Sequence, residues 1–123
     1  MNQDRFNFLV DQVKRYEGVE EIFILSPEGQ VIFTAGDHIL TSEESRDILS
    51  SWKNGAPSLM YQGLRYVILK NDELQFVAKN LSRNKGNLLG SKTKERDYLL
   101  VHTRDESLIL LEWSIHVNKV AWS

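Results

Sequence analysis

Residues 58–103 read SLMYQGLRYVILKNDELQFVAKNLSRNKGNLLGSKTKERDYLLVHT, and this stretch decides the fold. It breaks into short apolar, β-branched and aromatic runs at Ser58–Tyr61, Leu64–Lys70, Leu74–Lys79, Asn87–Lys92 and Tyr98–Thr103. Gln62-Gly63, Asn71-Asp72-Glu73, a long basic loop and Lys94-Glu95-Arg96-Asp97 separate them. Turn-forming residues between short strand-like runs predict an antiparallel meander. Working outward, the chain supplies a hairpin and two helices before the meander and one more helix after it.

Upstream, Phe6, Leu9, Val10, Val13 and Tyr16 recur at steps of three and four. That spacing predicts an amphipathic helix over residues 3–17, with Gly18 as its stop. Ile22-Phe23-Ile24-Leu25, the turn Ser26-Pro27-Glu28-Gly29 and Val31-Ile32-Phe33 predict a hairpin with a type I turn. The first of these strands is apolar without alternation, so it is expected to be a central strand covered on both faces. Thr41-Ser42-Glu43-Glu44 has the form of a capping box and opens a helix running to about Lys53, with Ile48, Leu49 and Trp52 inward. Asn54-Gly55-Ala56-Pro57 ends it.

Downstream, Ser107–Trp122 fits either a helix carrying Leu108, Leu111, Ile115 and Val117 on its stripe or a buried strand at Leu108–Leu111. Asp105, Glu106 and Ser107 supply helix-start chemistry, which selects the helix. It is apolar around most of its circumference. Such a helix either packs deeply or offers part of its face to a partner.

Composition bounds the function. The chain has 123 residues, 41% hydrophobic and 26% charged, which suits one globular domain with a sizeable core. A net charge of −2 argues against general nucleic-acid binding. There are no cysteines, which removes disulfides, thiolate metal sites and Cys nucleophiles and fits a reducing compartment. No apolar run approaches a membrane span, and Asp4 and Arg5 stand where a signal peptide would be apolar, so a cytoplasmic location is expected. His38, His102 and His116 lack the spacing of a metal pair, and His102 reads as a core or sheet position. No phosphate loop, nucleophile elbow or dinucleotide fingerprint is present, so neither an enzyme nor a cofactor is expected.

The most uneven charge lies between Lys79 and Arg96. Lys79, Arg83, Lys85, Lys92, Lys94 and Arg96 stand there against a single acid, Glu95. If the meander pairs as read, these cations converge on one region and attract an anionic partner. Taken on charge alone, they are solvated strand ends and loops.

The order helix, hairpin, helix, meander, helix is that of profilin-like folds, which include roadblock and longin domains. Locally the sequence resembles the profilins. Gly63-Leu64-Arg65-Tyr66-Val67-Ile68-Leu69-Lys70 is similar to a profilin strand that runs glycine, x, lysine, tyrosine, then apolar residues to arginine. Lys92-Thr93-Lys94 before Tyr98-Leu99-Leu100-Val101 resembles the turn between the family's last two strands. Ile39-Leu40-Thr41-Ser42-Glu43-Glu44 resembles the start of its middle helix. The register holds with small gaps from about Gly18 to Glu106. The pattern looks like a divergent profilin of the kind found in Asgard archaea.

The resemblance implies an α+β fold in α/β/α layers: a central antiparallel sheet flanked by N- and C-terminal helices, side by side on one face. It implies a monomeric cytoplasmic protein of the cytoskeleton that binds monomeric actin and regulates its polymerisation. Actin would be met by Arg65, Lys70 and Lys79 on the strands and by Trp113, Ser114 and Val117 on the last helix, with Trp113 a buried anchor at the interface. It also implies that phosphoinositide headgroups compete near Lys79, Arg83, Lys85, Lys92 and Lys94. Profilins stack polyproline on a Trp and a Tyr of the first helix. Here Phe6 and Leu9 occupy those places, so polyproline binding is expected to be weak or absent. The alternative is a roadblock- or longin-type scaffold that dimerises or binds a small GTPase, which would expose an apolar helix face on residues 6–16 or 42–53.

Overall fold

The computed structural model describes all residues, Met1–Ser123. Ten elements follow one another: α1 (Gln3–Val13), β1 (Val19–Leu25), β2 (Val31–Gly36), α2 (Ser42–Lys53), β3 (Ser58–Tyr61), β4 (Leu64–Asn71), β5 (Gln75–Lys79), β6 (Asn87–Lys92), β7 (Tyr98–Thr103) and α3 (Leu110–Ala121). All seven strands form one antiparallel sheet in the order β2-β1-β7-β6-β5-β4-β3. The meander read from residues 58–103 is therefore present strand for strand. The β3–β4 turn uses Gln62 at φ 51 and Gly63 at φ 73, the doubly positive pair that matches strand twist.

Two cores lie on opposite faces of the sheet. Phe23 and Leu25 pack with Ile48, Leu49 and Trp52 of α2 and with Tyr61, Tyr66, Phe76, Leu88, Tyr98 and Leu100. Ile22 and Ile24 point the other way, to Phe6, Leu9 and Val13 of α1 and Trp113, Val117 and Val120 of α3. Helices α1 and α3 touch each other, α3 over β6 and α1 over β1 and β2. Two-sided cover of Ile22–Leu25 is as the apolar run requires. The strand itself is second from an edge rather than central, because β7 pairs with it and carries the sheet onward.

The sheet is strongly curled. Tyr61 and Gln62 at the β3 end hydrogen-bond to Glu21 on β1, at 2.6 and 2.9 Å. These strands are five positions apart in the sheet, about 24 Å if it were flat. The α2 side is thus the inside of a trough, and the α1/α3 side is the outside.

The helix ends differ from the sequence expectations in instructive ways. The capping box of α2 is formed: Thr41 Oγ1 accepts from Glu44 N, and Glu44 Oε1 accepts from Thr41 N. Helix α1 stops at Val13, before Gly18, which instead takes φ +107 where its carbonyl accepts from Arg104 N. Helix α3 starts at Leu110 rather than Ser107. Ser107 Oγ is occupied by Glu17 N, and Glu112 Oε1 accepts from Ile109 N instead. Leu111 and Ile115, expected on the buried stripe, are exposed; Trp113, Val117, Val120 and Ala121 form the buried one. No helix is long and apolar enough to cross a membrane.

Helix α1 is tied to the β6–β7 turn by Arg5 Nε donating to Glu95 Oε2 at 2.7 Å. Partial burial opposes ionisation of Glu95, but the bond from Arg5 and a local backbone bond outweigh it and hold its pKa below the usual carboxylate value. A depressed folded-state pKa contributes stability above the unfolded-state value and loses it as pH falls through the folded one. Glu95→Gln should therefore be less stable than the parent at neutral pH, by up to about 1 kcal/mol. The gap should close on acidification, as measured by urea unfolding at a series of pH values.

Candidate functional site

On the outside of the trough the two helices cover β2, β1, β7, β6 and Val77 of β5, and the strip formed by β3, β4 and their border with β5 lies bare. Strand alternation decides which residues it shows. Leu59 and Tyr61 of β3 and Leu64, Tyr66 and Ile68 of β4 point inward. Met60, Arg65 and Val67 therefore point outward. Met60 is directly opposite Arg65, and Val67 opposite Lys79. A bulge between Ile68 and Lys70 sets Lys70 against Val77, whose side chain lies in the outer core, and leaves Leu69 exposed beside it. The strip carries exposed apolar surface, Met60 at 58% and Leu69 at 54%, among three cations.

Those cations differ in how they are held. Lys79 Nζ donates to Asp105 Oδ2 at 2.7 Å and to Asn87 Oδ1 at 3.1 Å. Lys70 Nζ donates to Gln75 Oε1 at 2.7 Å, with Asp72 at 3.8 Å. The Arg65 guanidinium has no intramolecular partner, while its backbone carbonyl accepts from Asn80 Nδ2 at 2.8 Å. Arg65 is thus the cation most available to an outside carboxylate.

Helix α3 borders the strip. Its His116 side faces α1, where Nε2 lies 2.9 Å from the Gln12 carbonyl. Its opposite flank carries Ser114 and Asn118 one turn apart, and Asn118 donates to Ser91 Oγ of β6 at 3.0 Å. Asn118 and Gln75 line a shared hollow with Asp72, Glu73 and Leu74. Arg65, Lys70, Lys79 and Ser114 are therefore brought to one surface. Met60, Val67, Leu69 and Asn118 belong to it too. The two-residue period of β4 places Val67 beside Arg65, but nothing local marks it as outward without knowing which face α3 covers.

Trp113 and Val117 are corrections. Trp113 is fully buried and its indole N–H donates to the Arg104 carbonyl at 2.9 Å. Val117 is 1% exposed. Neither can meet a partner, because the helix turns this stripe onto β6 and turns Leu111 and Ile115 to solvent. Phe6 and Leu9 are likewise core: Phe6 stacks on Phe33 at 5.1 Å between centroids, and Leu9 is fully enclosed.

The basic cluster does not converge. Lys79, Arg83 and Lys85 sit where β5 passes into β6, whereas Lys92 and Lys94 sit at the far end of β6. Five residues of strand, about 17 Å, separate the two groups. Lys92 lies over the Tyr98 ring at 5.8 Å. No single polyanion site is formed. The helix faces that a scaffold would use are also missing: Phe6, Leu9 and Val13 are buried, and the outward face of α2 carries Glu43, Arg46, Asp47, Ser50 and Lys53.

Inside the trough, polar groups meet at Glu21. Its Oε1 accepts from Tyr61, Gln62 and His102 Nδ1, the last at 2.9 Å. Burial first, then the bond to Glu21, pushes the Tyr61 phenol well above its ordinary pKa; burial and the Glu21 charge push Tyr66 up to about 12. Both phenols are therefore donors at neutral pH. No cluster of His, Cys, Asp or Glu able to hold a metal ion is present.

Comparison with known proteins bears on this geometry. No family model matches the chain. It is 53% identical to Loki profilin-3 of Lokiarchaeum sp. (strain GC14_75) over 123 residues, the whole of both chains. Among solved structures it superimposes on LokiProfilin2 in its complex with rabbit actin with a TM-score of 0.80, at 20% identity over 98% of this chain and 95% of that one. Acanthamoeba castellanii profilin II gives a TM-score of 0.73 at 15% identity, over 94% and 91% of the two chains.

The core position of Trp113 is open to test. Trp113→Ala should cost about 3–5 kcal/mol of folding stability, read as a lowered denaturant midpoint. A surface anchor would leave the midpoint nearly unchanged.

Proposed function

This chain belongs to the profilin family, and on that premise we propose that it binds monomeric actin through the bare outer strip and thereby regulates actin polymerisation. The observation that carries the reading is the strip itself: Met60, Val67 and Leu69 form an apolar centre, Arg65, Lys70 and Lys79 ring it, and Ser114 and Asn118 line one side. An apolar centre with a charged rim is the anatomy of a specific protein interface. Exposed apolar surface of this kind on a chain this size marks an interaction site. The structure of the Loki profilin-2 complex with rabbit actin supports the choice of partner. The chain acts here as a binding protein of the cytoskeleton and not as an enzyme. Polymerisation is affected because a monomer held by this face is withdrawn from nucleation.

The test is pyrene-actin polymerisation. The parent protein should lengthen the lag in a concentration-dependent way. Arg65→Glu removes the unpaired cation and should require about tenfold more protein for the same delay, about 1.4 kcal/mol. Its unfolding midpoint should stay that of the parent, since Arg65 bonds to nothing through its side chain. No delay from the parent would refute the reading.

We further propose that proline-rich segments are not recognised at Phe6 and Leu9. Proline rings dock in aromatic-lined grooves, and here the one aromatic of the pair is stacked on Phe33 inside the core. A plain polyproline peptide at micromolar concentration should leave the tryptophan fluorescence unchanged. A saturable change would contradict this.

A further inference from the structure

The loop Leu81–Gly86 joins β5 to β6 and lies beside Arg65. Its composition of Asn, Ser, Arg, Lys and Gly suggests a free connector, yet it is fastened at several points. Asn80, 1% exposed, fills its base. Asn80 Oδ1 accepts from Arg83 N at 2.9 Å and Lys85 N at 3.3 Å, while Asn80 N donates to the Gly86 carbonyl at 3.0 Å. Gly86 takes φ +98, and a Cβ there would lie 2.0 Å from the Thr103 carbonyl oxygen, so no other residue fits.

The remaining fastening comes from inside the trough. His102 Nε2 lies 2.9 Å from the Lys85 carbonyl, and the Tyr66 hydroxyl donates to the same oxygen at 3.3 Å. His102 is itself held: it is the cross-strand partner of Glu21, whose carboxylate accepts from its Nδ1. Glu21 Oε1 and the Lys85 carbonyl are both acceptors, so the ring donates from each of its nitrogens, and a chain of bonds runs from β1, through the ring on β7, to the backbone of a surface loop. The loop presents Leu81, 63% exposed, and Arg83 next to the strand that carries Arg65. The inner end of the chain is the same oxygen that ties β3 to β1.

We propose that His102 is a positioning residue for the partner-binding face: fixed by Glu21, it pins the Lys85 carbonyl and so holds the 81–86 loop in one arrangement beside Arg65. The proposal rests on the actin reading for its functional consequence, but the positioning itself does not. His102 is 8% exposed and touches no partner. Its effect is preorganisation. A loop already ordered loses less conformational entropy when a partner settles on it. Loosening the loop should weaken binding without changing the fold.

The experiment uses the full chain, labelled with nitrogen-15, with amide hydrogen exchange read by NMR and actin affinity measured in parallel. In the parent, the amides of Arg83 and Lys85 should exchange on the order of tenfold more slowly than that of exposed Glu106. His102→Phe keeps an aromatic ring and removes both nitrogens. It should speed exchange of the loop amides roughly fivefold, the loss of one net hydrogen bond, with the β6 and β7 amides unmoved. Actin affinity should fall by a similar factor. His102→Gln, which keeps a donor within reach of Lys85, should restore most of both. Should His102→Phe not fold, Tyr66→Phe removes a single hydroxyl and should act in the same direction with smaller size.

Loop amides exchanging in the parent as fast as Glu106 would overturn the proposal. So would a loosened loop in His102→Phe with actin affinity unchanged. If the parent binds no actin at all, the actin reading fails, and the exchange data still decide whether His102 holds the loop.

Discussion

One carboxylate oxygen closes the trough. Glu21 Oε1 gathers three donors, from β3, the β3–β4 turn and β7, and two of them come from the opposite end of a seven-stranded sheet. Burying a carboxylate is costly unless its hydrogen bonds are met, and Tyr61, Gln62 and His102 share that task. The curl it fastens divides the molecule into unequal sides. Inside, the space is narrow enough for α2 alone, with Trp52 set against Phe76 and Tyr98 to complete the filling. Gly90 is where this packing is closest, a Cβ there lying 2.6 Å from the Trp52 ring. Outside, the surface is broad. Six strand spacings make about 29 Å, whereas two helices side by side cover about 20 Å. Roughly two strands must stay uncovered, and they are β3, β4 and their border with β5.

The uncovered strip has to serve two conditions at once. It must not aggregate, and it must keep enough apolar surface to bind. Arg65, Lys70 and Lys79 satisfy the first by interrupting Met60, Val67 and Leu69 with charge. Two of the three are already occupied by Gln75 and Asp105, which fixes their geometry and lowers the number of free cations to one. A partner that offers a carboxylate to Arg65 and an apolar surface to Leu69 fits such a strip; Lys92 and Lys94 lie about 17 Å away along β6, so the basic residues do not gather into one site for a polyanion.

How much of this was legible in the sequence follows from the range of each interaction. Turns and caps are local, and Gln62-Gly63, Thr41 with Glu44, and Ser26-Pro27-Glu28-Gly29 announce themselves within four residues. The doubly covered β1 strand was legible because its apolar run lacks alternation. The start of α3 was not, since Ser107 is drawn off to cap a backbone N–H on the α1–β1 connection 90 residues away. Trp113 misled for a related reason. A helix that is apolar nearly all round gives no phase, and only docking on β6 decides that Trp113 goes in while Leu111 goes out. The spread of the cations needed strand register, and the Glu21 contact needed the curl. Neither is encoded in any short window. The resemblance of residues 63–70 and 92–101 to profilins supplied what periodicity could not, the proposal that Arg65 and Lys70 share a binding face.

The central claim is that the bare strip outside the trough is where monomeric actin sits. Hydrogen–deuterium exchange of this chain with and without a saturating excess of monomeric actin tests it most directly. Protection should appear on β4, β5 and the first turns of α3 around Ser114, and α2 should exchange as it does in the free protein. Protection centred on α2 or on the β2 edge, with β4 and β5 unchanged, would contradict the claim.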